Sequence, residues 1–100
     1  MQTIDITQLA ALGEQATVID VREPDEFSAV RIPWASNVPL SELVERAGEV
    51  PDDGPVYLIC AAGVRSERAT AYLEQQDKPV VNVLGGMSEW AGAGHTVERG

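Results

Sequence analysis

Three short apolar, β-branched runs, at residues 17–21, 55–60 and 79–84, constrain this chain more than any other feature. Their apolar character is nearly continuous rather than alternating, which suits strands covered on both faces. Two weaker strand candidates lie at residues 3–6 and 36–38. The first run ends at Arg22-Glu23-Pro24-Asp25, read as a turn, and the third is closed by Gly85-Gly86. Helical patterns fill the gaps. Thr7 can cap a helix carrying Leu9, Ala10 and Leu12, with Gly13 as its stop. Ser41 can cap a second, with Glu42 and Glu45 in its first turn, Leu43, Val44 and Ala47 on one side and Gly48 as its stop. A third runs from about residue 65 to 76, with Ala69, Tyr72 and Leu73 at i, i+3, i+4 and Pro79 beyond its end. Residues 87–93 form a short fourth. Strands alternating with helices predict an α/β domain on a parallel sheet. One hundred residues without repeat or linker are read as one domain, 1–100.

Charge narrows the partners. Sixteen acidic against seven basic residues leave a net charge of −9, which argues against nucleic acid and anionic membrane. No basic, apolar leader opens the chain and no apolar run approaches the ~20 residues that span a bilayer, so a cytoplasmic location is the default expectation. With one cysteine, Cys60, and one histidine, His95, no intramolecular disulfide can form, and a zinc site would need mostly carboxylates. No metal and no cofactor are expected.

Parallel sheets place their chemistry where strands end and helices begin. Cys60 stands at such a point, followed by Ala61-Ala62-Gly63-Val64-Arg65-Ser66 and then a helix. A loop of small residues lets successive N–H groups turn inward and cradle an anion, and Gly63 can supply a positive φ. Arg65 and Arg68 add positive charge at the same end. A free thiol titrates near 8.5, and a helix terminus alone, worth up to about 2 kcal/mol, lowers that by under ~1.5 units. Several loop N–H donors and a nearby arginine extend the effect, so Cys60 is expected to be a thiolate nucleophile. The competing interpretation is an inert, buried core cysteine.

Four segments then resemble one family, the rhodanese-like domains. Residues 18–27, with Asp20-Val21-Arg22 and the acidic stretch after it, resemble the first motif; residues 31–40, with Ile32-Pro33, the second; residues 60–66 the active-site loop; and residues 83–90, with Ala93-Gly94, the closing motif. The resemblance implies a five-stranded parallel sheet with helices on both faces and a cysteine that carries a persulfide. It implies a sulfurtransferase moving a sulfane sulfur from a small anionic donor such as thiosulfate to cyanide or a thiol, with Cys60 as nucleophile and Arg65 as charge partner of the donor or persulfide. Ala61, Ala62, Gly63 and Val64 form the persulfide-binding loop with Ser66, which either donates a hydroxyl hydrogen bond or caps the helix. The alternative is a persulfide carrier that delivers sulfur to a partner protein. Six residues from Cys60 to Arg65 fit sulfur transfer, and leave a phosphatase, whose loop has seven, as a minor alternative.

Where the family has Gly-His before Ile-Pro this chain has Val30-Arg31, and where it has Gly after Pro it has Trp34. Trp34 lines the mouth of the site or covers the core; Arg31 is read as a solvated charge. Asp20 and Arg22 either support the site or form a structural ion pair at a strand end. Met87 and Trp90 are read as core packing, His95 as non-catalytic, and Glu42, Glu45, Glu49, Asp52 and Asp53 as solvated acids. An acidic exterior with a locally basic pocket is the electrostatic expectation.

Overall fold

The computed structural model describes residues 1–100 throughout. Strand β1 (Thr3–Ile4) leads to α1 (Ile6–Leu12), a 3-10 turn (Gly13–Gln15), β2 (Thr17–Asp20), α2 (Pro24–Ala29), β3 (Val30–Arg31) and β4 (Ser36–Asn37). A second 3-10 turn (Leu40–Glu42), α3 (Leu43–Arg46), a third 3-10 turn (Ala47–Glu49), β5 (Val56–Ile59), α4 (Val64–Gln75), β6 (Val80–Val83), α5 (Gly86–Gly92) and β7 (Glu98–Arg99) follow. Five strands form one parallel sheet in the order β1-β6-β5-β2-β4; the apolar runs predict its parallel character and the family resemblance its five strands.

Neighbouring residues of a strand point to opposite faces, so each buried run feeds two cores. Ile19, Leu58 and Val80 pack with Leu43, Ala69 and Leu73 beneath α3 and α4. Val18, Ile59 and Val83 pack with Ile6, Leu9, Met87 and Trp90 beneath α1 and α5. Helices therefore cover both faces, and Met87 and Trp90 serve the core as expected. No helix is long and apolar enough to cross a membrane.

Several local expectations need correction. Asp5, not Thr7, caps α1: its carboxylate accepts from the Gln8 N–H at 2.8 Å while the Gln8 side chain accepts from the Asp5 N–H at 3.0 Å. That reciprocal pair starts the helix at Ile6 and shortens the first strand. The expected turn after β2 is the start of α2, because Pro24 occupies its first position. Ser41 lies inside a 3-10 turn and donates to the Glu23 carboxylate at 3.0 and 3.1 Å instead of capping a helix. Val44 is left exposed. Arg31 is no free surface charge: in the antiparallel pair β3–β7 it bonds Glu98 at 2.7 Å.

The strand order locates the site. From β2 the chain moves outward to β4, whereas from β5 it moves the other way to β6. The crevice at such a reversal opens beyond the carboxyl ends of β2 and β5. The two largest cavities, about 480 and 370 Å³, lie instead at the amino ends of the strands, around Gly54 and Pro55.

Candidate active site

Cys60 follows β5, the middle strand of the sheet, and is 1% exposed. The chain then curls through Ala61 and Ala62 to Gly63, whose φ of 103° is open to glycine and turns it into α4. This curl aims N–H groups back at the sulfur: Gly63 N–H donates to Sγ at 3.1 Å and Ser66 N–H at 3.3 Å. The first turn of a helix leaves such donors unpaired, so a thiolate there satisfies both. The Ser66 hydroxyl lies 3.4 Å from Sγ and 3.2 Å from the Gly63 carbonyl oxygen. Against a thiol it accepts from S–H and donates to the carbonyl; against a thiolate its hydrogen turns to sulfur. Both interpretations of Ser66 thus meet at one atom.

Burial pushes the Cys60 thiol up, but the hydroxyl and N–H of Ser66 and the N–H groups of Gly63 and Ala62 outweigh it. The thiol is held below its ordinary value. On the other side of the loop, Met87 and Ser88 N–H groups donate to the Cys60 and Ala61 carbonyls at 2.8 and 2.9 Å. Gly86, at φ 58°, has to be glycine, because a Cβ there overlaps those same carbonyls. The start of α5 therefore fixes the floor of the loop.

Arg65 does not reach toward the loop as a free cation. Its Nη1 and Nη2 donate to the two carboxylate oxygens of Glu26 at 2.6 and 2.9 Å. Chiefly because of this fork, and despite burial, the Glu26 carboxyl falls from 4.5 to about 2, helped by the Glu23 N–H and the charge of Arg22. Asp20 and Arg22 form a buried pair, with Arg22 Nη2 at 2.7 Å from Oδ2. The same guanidinium donates to the carbonyls of Val30 at 2.6 Å and Glu26 at 3.3 Å, so it clamps the end of α2. Asn37 Nδ2 ties the carbonyls of Asp20 and Arg22 together, 2.9 Å from each. Asp20 and Arg22 thus form a buried ion pair whose guanidinium holds α2, the helix that carries Glu26.

The expectation of a locally basic pocket is not met. Arg65, Arg22 and Arg31 are each matched by a carboxylate, because the topology brings Glu26, Asp20 and Glu98 to them. Arg68 stays exposed one turn further along α4. Trp34 packs edge-on against Trp90, at 6.2 Å between ring centres, and His95 stacks on the same ring at 4.9 Å. Trp34, half-buried, therefore packs against the core beside α5, and His95 lies half-buried against the same Trp90 ring.

Glu26 and Asn37 escape a search for nucleophiles and cations. The signal for Glu26 is Pro24 at the start of a helix, which sets the acid in the first turn of α2.

The rhodanese-like domain family model matches residues 5–93, which include Cys60, its loop, Glu26, Asp20 and Arg22. The chain belongs to that family. Among its relatives, this rhodanese-like domain is 41% identical to the uncharacterized protein YqhL of Bacillus subtilis, over 92% of this chain and 74% of that one. It is 37% identical to a sulfurtransferase of Allochromatium vinosum, over 86% of this chain and 81% of that one. The crystal structure of a rhodanese-related protein from Thermoplasma volcanium superposes with a TM-score of 0.93 at 35% identity, covering 98% of each chain.

Proposed function

We propose that this domain is a sulfurtransferase that carries a sulfane sulfur on Cys60. The observation that carries the reading is the sulfur of Cys60 set among the Gly63 and Ser66 N–H groups where β5 gives way to α4. A persulfide anion has no fixed counter-ion, and N–H donors aimed at its root stabilise it as charge moves outward. The Cys60 thiolate attacks the outer sulfur of a donor such as thiosulfate. The donor S–S bond breaks, sulfite leaves with the electron pair, and Cys60–S–S⁻ remains. A thiol or cyanide then attacks the terminal sulfur and the thiolate is regenerated. One cysteine suffices, because the acceptor resolves the intermediate.

The test is intact mass before and after thiosulfate, together with thiocyanate release in the presence of cyanide. One added sulfur and steady turnover are expected, both abolished by Cys60→Ser. Wild-type protein that neither gains sulfur nor releases thiocyanate overturns the reading. The similarity to a putative sulfur carrier protein of Bacillus subtilis, 39% identical over 79% of this chain and 43% of that one, supports a second reading, a carrier loaded by a protein persulfide. It predicts sulfur on Cys60 from a protein donor with negligible loading from thiosulfate.

A further inference from the structure

Glu26 has no part in the chemistry above, yet it holds both terminal nitrogens of the loop arginine, at 2.6 and 2.9 Å. We infer that Glu26 is a specificity-determining residue that turns the site against doubly charged sulfur donors and toward singly charged ones. The inference rests on the sulfur-transfer reading and names the donor class for that site.

The argument is one of charge and of occupied donors. A sulfonate-bearing dianion approaching Cys60 needs cations for its oxygens, and a planar guanidinium fork is the usual partner. Arg65 carries the fork, but the Glu26 carboxylate already fills it as an intramolecular competitor. Both side chains are about a third exposed, at 33% and 35%, so an incoming anion meets the ion pair and not a bare cation. The other arginine of this region, Arg22, is buried against Asp20 and spends its remaining donors on backbone carbonyls. Arg68 is exposed and about 4.5 Å further along the axis of α4. Of the loop N–H groups, those of Gly63 and Ser66 are directed at the sulfur of Cys60 itself. A donor with two charges therefore meets a nucleophilic anion with no free cation beside it, within a chain of net charge −9.

Glu26 is also held in place. Its carboxylate accepts from the Glu23 N–H at 3.1 Å, and the Arg22 clamp fixes the end of the helix that carries it. Filling of the Arg65 fork is thus built into α2.

Thiosulfate and methanethiosulfonate separate the charges, because both present a terminal sulfane sulfur and differ by one negative charge. Attack by Cys60 releases sulfite from the first and methanesulfinate from the second, with Cys60–S–S⁻ formed in each. In the wild-type protein KM is expected to be lower for methanethiosulfonate. Glu26→Gln should lower KM for thiosulfate about fivefold, the scale of one exposed ion pair, with little change for the monoanion. The gain should shrink at high salt. Glu26→Asp, which keeps the charge on a shorter arm, should lie between. Glu67→Gln, an equal change of net charge at an exposed position of α4, should leave the ratio unchanged.

Equal KM values for the two donors in the wild type, or a Glu26→Gln protein that shifts both alike, overturns the inference. Binding of sulfite and methanesulfinate to Cys60→Ser protein, with and without Glu26→Gln, tests it apart from turnover. A preference for the dianion that Glu26→Gln leaves unmoved also overturns it. Failure of both donors to load wild-type Cys60 strikes the sulfur-transfer reading instead, and the binding comparison still decides the role of Glu26.

Discussion

The sulfur of Cys60 and the hydroxyl of Ser66 share one proton's worth of ambiguity, and the chemistry of the loop turns on it. The hydroxyl can serve the Gly63 carbonyl or the sulfur, and ionisation of the thiol decides which. Removing it leaves only backbone N–H donors on Sγ and no adjustable one. Ser66→Ala is therefore expected to raise the thiol pKa and slow alkylation by iodoacetamide at neutral pH several-fold. In the wild type, the rise of alkylation rate with pH should be centred below that of an unstructured peptide thiol. An unchanged profile in Ser66→Ala would remove the hydroxyl from the argument. The curl after Cys60 was legible from its residues alone, because a strand end followed by Ala61-Ala62-Gly63 predicts the turn that the chain makes. The partner of Arg65 was not. Glu26 lies on a different helix, and only the adjacency of β2 and β5 brings the two together.

Among the elements, α2 does most to join fold and site. It is short, opened by Pro24, held at its far end by Arg22, and latched to α4 by Glu26. The latch ties stability to acidity in a definite direction. Glu26 has a folded pKa of about 2 against an ordinary 4.5, so its stabilisation is complete above pH 4.5 and lost as pH falls through about 2. With both partners about a third exposed, screening limits the effect to about 1 kcal/mol. Urea midpoints of wild-type and Glu26→Gln protein should differ at pH 6 and converge near pH 2. A difference that persists in acid would mean that the ion pair is not its source.

The same element marks where sequence patterns give out. Runs at 17–21, 55–60 and 79–84 announced their strands because β-branched residues buried on both faces leave a continuous apolar trace. Helix α2 is shorter than two turns and buries none of its residues fully, so it leaves no amphipathic period to find. Its proline reads equally as a turn breaker and as a helix opener. Strands β3 and β7, two residues each, are fixed by contact with each other and carry no period of their own.

At the scale of the whole molecule, the order of strands sets what can form without what. Strand β1 pairs only with β6, and β2 lies between β5 and β4. A fragment of residues 1–55 holds neither β5 nor β6, so β1 has no neighbour and β2 keeps only the two-residue strand β4. Such a fragment is expected to lack a cooperative thermal transition by far-UV circular dichroism. A sharp melt would show that the amino-terminal half assembles alone. The strand that supplies the missing neighbour of β2 is also the one that leads into Cys60. During translation, at roughly 5–20 residues per second, the first half of the chain waits seconds for its central strand. Over that interval the apolar run at 17–21 has no partner on its β5 side, and it gains one only when the segment leading into Cys60 emerges.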